Sequence, residues 1–242
     1  MEPTLWYLPI SPWSQKLRCA LRHHGIQLRE RAYAPLIDEL ALRFRLKRWS
    51  GRITVPVLFT SEGALTDSFD IARFAERVGS GPTLFPAAHE AQLVDWNARS
   101  ERLLSAGRGA AMLRMLASPA AAHELLPPGP AKRVSPRLAL LAMRAFNRKY
   151  GITREQLADY EATMRSELSQ LREALSGGRF YLFDQLSYAD FAMAVALSVL
   201  GPVPESPHGP AARAVMTEDA LASEFADLKA WRDAFHARHP LI

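Results

Sequence analysis

Cysteine is nearly absent: Cys19 stands alone among 242 residues. No intramolecular disulfide can staple such a chain, so its stability must come from a buried core, and a reducing cytoplasm is the expected location. The opening residues, MEPTLWYLPI, lack a basic segment ahead of a long apolar core and do not read as a secretory leader. Long apolar runs are missing as well. The longest mainly apolar stretch, Tyr188 to Leu200, carries Asp190 and falls short of the roughly 18 to 20 residues that span a bilayer. It reads as a buried helix, and no membrane partner is expected. The chain also has no C-x-x-C pair, no H-E-x-x-H, no P-loop, no G-x-S-x-G and no G-x-G-x-x-G. Metal, nucleotide and serine-hydrolase chemistry therefore lack support. His236 and His239 have ligand-like spacing, but Pro240 ends the helix there and no carboxylate or cysteine joins them, so no metal is expected.

What is present describes a folded protein. Hydrophobic residues make up 48% and charged residues 23%, which suits a globular chain and excludes a disordered or collagen-like one. At this length two domains are expected. The formal net charge of +5 is weak as a nucleic-acid signature, and no nucleic-acid partner is expected. Most of the excess lies in the first 85 residues, much of it between Arg43 and Arg52. That segment suits local attraction for a small anion.

The first third alternates strand and helix signals. Thr4 to Leu8 reads as a short strand; Ser11 and Pro12 form a cap and first-turn pair ahead of a helix carrying Trp13, Leu17, Leu21 and His24, which Gly25 closes. Leu28 to Ala34 resembles a second strand, followed by the basic segment. Val55 to Phe59, a turn at Ser61-Glu62-Gly63 and Ala64 to Thr66 form a hairpin. A helix from about Ser68 places Ile71, Phe74, Ala75 and Val78 on one face before Gly79, Gly81 and Pro82 end it. Beyond Pro86 no strand is persuasive. Helical periods alternate with proline-rich breaks at 127–130 and 201–210. Capping boxes pair Thr153 with Gln156 and Ser187 with Asp190, and the last helix, Phe225 to Arg238, turns Phe225, Leu228, Phe235 and either Trp231 or Arg232 inward.

Several residues carry two readings. Ser11 is either an N-cap or a hydroxyl set at a helix N-terminus, where free N–H groups and partial positive charge favour an anion. Cys19, inside that helix and without a histidine or second cysteine to activate it, reads as apolar packing. Pro56 is either a trans edge proline or a cis one. Asp67-Ser68 is either a plain cap or a grip on a zwitterion, the hydroxyl and amides taking a carboxylate and the acid an ammonium.

Taken in order, these motifs resemble the cytosolic glutathione transferase family over nearly the whole chain. Ser11-Pro12-Trp13-Ser14-Gln15-Lys16 is similar to the S-P-[FW]-S-x-[KR] segment of serine-type members. Thr54-Val55-Pro56-Val57-Leu58 resembles the family's cis-proline strand, and Asp67-Ser68 followed by Ile71 its acidic-serine pair. Ser187-Tyr188-Ala189-Asp190 resembles its buried capping box, and Leu228 to Trp231 with Arg238 its final helix. The resemblance implies an α/β thioredoxin-like N-terminal domain (βαβ-α-ββα) over 1–80, a linker over 81–86 and an all-α C-terminal domain over 87–242. It implies glutathione as co-substrate without a metal, conjugation of its thiolate to a hydrophobic electrophile in a detoxifying role, and a homodimer. Ser11 would activate the thiol, with Tyr7 and Ser14 as rivals. Thr54, Val55 and Pro56 would bind the tripeptide, Val55 pairing its backbone with it just before a cis Pro56, and Asp67 and Ser68 would hold the γ-glutamyl end. A basic residue between Arg43 and Arg52 would meet the glycyl carboxylate. The second substrate would sit near Trp13, with Met112 and Met115 as candidate contacts. The same resemblance admits a non-catalytic glutathione- or protein-binding module, or a glutathione-dependent isomerase or dehalogenase.

Overall fold

The computed structural model describes residues 2–35, 37–126, 130–203 and 206–240. The breaks expected at 127–130 and 201–210 lie partly outside the described residues. Packing divides the chain into two compact units, Met1–Leu93 with Leu186–Phe191 and Val94–Gln185 with Ala192–Pro240.

In the first unit, β1 (Thr4–Tyr7), α1 (Pro12–His23), β2 (Arg29–Ala32), α2 (Glu39–Leu46), β3 (Val57–Thr60), β4 (Gly63–Leu65) and α3 (Ser68–Val78) follow in order. The four strands form one sheet in the order β2-β1-β3-β4. β1 runs parallel to β2, with Tyr7 opposite Ala32, and antiparallel to β3, with Trp6 opposite Val57; β3 and β4 form the hairpin, Leu58 opposite Leu65. Consecutive residues of the two central strands are all buried, Leu5 and Trp6 in β1 and Val57 and Leu58 in β3. Because side chains alternate across a strand, this means that both faces of the sheet are covered. Trp6 and Val57 share one face with Tyr33, Leu42 and Ile53, against which Leu46 also packs. α2 therefore takes that face, and the opposite one, holding Leu5 and Leu58, falls to α1 and α3, which pack on each other. β2 is exposed along its whole length and reads Arg29-Glu30-Arg31, charges that keep an unpaired edge in water.

The strands are shorter than the periodicity predicts. β3 begins at Val57 rather than Val55, because Pro56 offers no N–H to the ladder; the Val55–Pro56 bond is cis. Val78, placed by its spacing on the buried face of α3, is 46% exposed at the last helical position.

From residue 87 onward the described elements are helical: α4 (Glu90–Met115), α5 (Pro119–Glu124), α6 (Pro136–Tyr150), α7 (Leu157–Ala174), α8 (Tyr188–Ala196), α9 (Pro210–Met216), α10 (Asp219–Glu224) and α11 (Ala226–Arg238), with short 3₁₀ turns between several of them. Thr153 N–H donates to Gln156 Oε1 at 3.0 Å ahead of α7. Asp190 accepts from both the N–H and the hydroxyl of Ser187, at 2.8 and 2.7 Å, and both residues are fully buried. The apolar helix they open turns 3₁₀ at Leu197–Leu200 and stops at Gly201, whose φ is +122°. On α11 the choice between Trp231 and Arg232 resolves to arginine. Arg232 is 1% exposed and donates through Nη1 to the carbonyls of Leu197 and Gly201, at 3.1 and 2.6 Å. Its guanidinium thus ties α11 to two carbonyls at the end of that apolar helix. Met112 and Met115 are buried in a cluster with Ala121, Ala122 and Ala139, so the structure spends both on packing.

Candidate functional site

Strand direction gathers the predicted residues. β1 leaves the sheet beyond Tyr7, β3 enters it at Val57, and β4 leaves it beyond Leu65. Since Trp6 faces Val57 and Leu58 faces Leu65, these three strand ends lie at one end of the sheet. Ser11, Val55-Pro56 and Asp67-Ser68 each follow or precede one of them by a few residues, so the topology brings them together.

Ser11 is the extended residue before α1, with φ −83° and ψ 122°. Its N–H donates to Leu8 O at 2.9 Å and its carbonyl accepts from Ser14 N and Gln15 N at 2.9 and 3.0 Å. Its hydroxyl makes no capping bond. Pro12 at the first helical position removes one N–H that a cap would otherwise serve. The Ser11 side chain is therefore half-exposed at a helix N-terminus with its hydroxyl unspent.

The rivals are committed elsewhere. Ser14 is fully buried and its Oγ accepts from Leu8 N–H at 3.2 Å, tying the β1–α1 loop to the first turn. Tyr7 lies under the Arg18 guanidinium, 4.7 Å from the ring centroid. Partial burial first, then the charge of Glu30 and a hydrogen bond to it, hold the Tyr7 phenol above the ordinary tyrosine value, while Arg18 pulls it down. Arg18 in turn pairs with both Glu30 oxygens at 2.9 and 3.0 Å. Cys19 is buried, and its thiol is pushed up to about 12, so it is inert at neutral pH.

Thr54 is exposed, Val55 half-buried and Pro56 buried. Asp67 caps α3, its Oδ1 accepting from Phe69 N at 2.8 Å and Asp70 N at 3.3 Å. The next amide, Ile71 N, goes to Asp67 O at 3.1 Å. Ser68 is left over: it is 3% exposed, and neither its N–H nor its hydroxyl has a partner among the described residues. A nearly buried donor pair at the start of a helix is suited to an anion.

In the basic segment, Arg43 is held by Glu39 at 2.8 Å and Gly51 O at 3.1 Å, folding the loop behind α2. Arg45 lies over the Phe59 ring at 4.1 Å. Lys47 closes α2 in the left-handed region with φ +53°. Among the described residues no group of three or more His, Cys, Asp or Glu could hold a metal ion.

Sequence comparison adds what geometry alone lacks. The family model of the glutathione S-transferase N-terminal domain matches residues 10–78, and that of the C-terminal domain matches residues 154–234, together more than half of the chain. The chain belongs to the glutathione S-transferase family. Among solved structures, a glutathione S-transferase of Methylobacterium radiotolerans in complex with glutathione sulfonate is 17% identical and superimposes with a TM-score of 0.64, covering 100% of this chain and 92% of its own. A glutathione transferase family member from Pseudomonas fluorescens Pf-5 with bound glutathione is 18% identical, with a TM-score of 0.61 and coverage of 99% and 96%. A glutathione S-transferase of Methylobacillus flagellatus KT with glutathione bound is 15% identical, with a TM-score of 0.62 and coverage of 97% and 94%. At these identities the likeness is one of fold. No curated protein matches the sequence.

Two groups that sequence reasoning missed hold this transferase-family unit together. His24 is 2% exposed and its Nε2 lies 2.9 Å from Glu76 Oε2, while His23 Nε2 meets Pro82 O at 2.8 Å. Gly79 and Gly81 are the residues that let the histidines approach: a Cβ on Gly79 would sit 2.4 Å from His24 Cβ. The spacing of His23, Glu76, Gly79 and Gly81 carries no local pattern, and only the fold of α1 against α3 joins them.

Proposed function

We propose that this family member binds glutathione at the shared end of β1, β3 and β4, and conjugates its thiolate to an electrophilic carbon. The observation that carries the reading is the unspent Ser11 hydroxyl at the N-terminus of α1. A free thiol near pKa 8.5 is only about 3% ionised at neutral pH, and lowering it by two units takes about 2.7 kcal/mol of differential stabilisation. A hydrogen bond to the thiolate offers roughly 1.5 to 3 kcal/mol and the helix N-terminus about 0.3 to 1, which together suffice. Ser11 is favoured over Ser14, which is buried and bonded to Leu8, and over Tyr7, whose phenol is held above the ordinary tyrosine value by burial and then by the charge of Glu30.

In this reading the Ser68 N–H and hydroxyl hold the γ-glutamyl carboxylate, Asp67 faces the ammonium, and the backbone of Thr54 and Val55 pairs with the tripeptide beside Pro56. Arg43 is taken up by Glu39 and Gly51 and Arg45 by the Phe59 ring, so a remaining basic residue of the segment, Lys47, Arg48 or Arg52, faces the glycyl carboxylate. The neighbours solved with glutathione bound support the same ligand. The reading also carries a reducing cytoplasm, in which glutathione acts as a thiol, a symmetric homodimer as the commonest closed assembly, and a detoxifying role towards a hydrophobic electrophile.

Titration with glutathione under ultraviolet difference spectroscopy tests it. The wild type is expected to show thiolate absorbance at neutral pH. Ser11→Ala should lose that band and about 100-fold in conjugation rate, with calorimetric glutathione affinity nearly unchanged. A wild type without a thiolate band at saturation, or a Ser11→Ala protein that keeps it, removes Ser11 from this role.

A further inference from the structure

α6 carries a surface that neither the packing of its unit nor the proposed chemistry uses. It falls in residues 79–153, between the two segments that the family models match. Its inner side, Ala139, Leu140, Met143 and Phe146, packs into the cluster around Met112 and Met115, and Asn147 Nδ2 donates to Met112 O at 3.4 Å. Its outer side is different. Leu138 and Leu141 are 55% and 54% exposed, with Val134 just before the helix at 38%. At 3.6 residues per turn, Leu138, Leu141 and Ala145 form one strip, and Arg137, Arg144 and Arg148 run along its flank. All three arginines are exposed and, among the described residues, make no ion pair or side-chain hydrogen bond. From Leu125 to Arg154 there are seven cations and no acid, although the chain as a whole holds 25 acidic residues and at that density this stretch would carry about three.

We propose that the outer face of α6 docks on an anionic membrane surface, its leucines entering the headgroup boundary and its arginines pairing with lipid phosphates and carboxylates. The charge pattern selects the occupant. A face of one sign repels a second copy of itself across a two-fold axis, so an α6-to-α6 contact is disfavoured. A few apolar side chains flanked by cations is instead the pattern of a helix lying in a membrane interface. Each cation near such a surface adds on the order of five-fold to affinity, fading as salt is raised. Among the described residues no helix is long and apolar enough to cross a membrane; the expectation of no membrane partner rested on that alone, and docking on a surface needs no such helix. The proposal does not depend on the glutathione reading.

Flotation of the full chain with vesicles tests it. Binding is expected to phosphatidylcholine vesicles containing about one-third phosphatidylserine, not to phosphatidylcholine alone, and to weaken with salt. Arg137→Glu with Arg144→Glu and Arg148→Glu should reduce binding at least about 100-fold, and Leu138→Ser with Leu141→Ser about 10-fold. A matched reversal elsewhere, Arg22→Glu with Arg179→Glu and Lys229→Glu, should keep most of it. Leu141→Trp should show a blue-shifted emission on adding the anionic vesicles, a readout that requires no loss of function. A wild type that ignores anionic vesicles, a matched reversal as damaging as the α6 reversal, or a Leu141→Trp emission that does not move overturns the proposal. So does solution evidence that another protein chain, a second copy included, covers this face.

Discussion

Ser11, Ser14 and Tyr7 show how little residue type decides on its own. All three stand near the start of α1 and all carry a hydroxyl, yet one is unspent, one is a buried acceptor and one is kept protonated by burial and a nearby carboxylate charge. The sequence singled out all three and left them ranked only by resemblance. Their separation comes from the Leu8 amide and from Glu30, which lie on other turns of the chain. Asp67 gives a sharper test at this scale, because its carboxylate caps α3 and is also the group proposed to face an ammonium. Asp67→Ala is expected to cost about 1 kcal/mol through the lost cap and to weaken glutathione binding. Asp67→Asn, which can still cap, should nearly restore the denaturation midpoint and leave binding weak. If Asn restores both, the charge at position 67 does not contribute to the ligand.

At the scale of elements, all four strands were placed within a few residues, whereas α4, α5, α6, α9 and α10 were read only as a helical remainder. α7 and α11 show their buried positions through the 3.6-residue period, whereas β2 is wholly exposed and has no alternation to read. α4 hides its reason for two glycines in a helix, since neither can be explained from local sequence. A Cβ on Gly107 would lie 2.3 Å from Val199 Cγ1 and 3.0 Å from Val199 Cβ, so α4 needs glycine to pack against the 3₁₀ turn after α8. Ala in place of Gly raises helix propensity by about 1 kcal/mol, but overpacking against a stiff β-branched side chain costs about 1 to 3. Gly107→Ala should therefore lower the thermal midpoint, and a rise would mean that Val199 yields without strain. Which side of α6 faces water is decided by the cluster around Met112 and Met115 that its inner side packs against, which no local pattern announces.

For the whole molecule, the buried histidines set the response to acid. Burial holds His24 below the ordinary histidine value, outweighing the pull of Glu76, and burial and then Arg213 lower His208. The unfolded chain takes up these protons near pH 6.5 while the folded one resists. Stability is thus fully present above about pH 6.5 and is lost as pH falls below it towards the folded values. Urea midpoints should drop between about pH 7.5 and 5.5, and His24→Gln should flatten that slope; an unchanged slope would assign it to other groups. The sequence by itself determined the α/β beginning and helical remainder, the capping residues and the order of motifs, because these depend on local periodicity and turn chemistry. Tertiary structure alone decided which hydroxyl stayed unspent, that Arg232 rather than Trp231 turned inward, that His24 met Glu76, and that the leucines and arginines of α6 were left in water. Those outcomes depend on groups outside one another's local pattern, from Leu8 and Ser14 six residues apart to His24 and Glu76, whose meeting only the packed fold brings about.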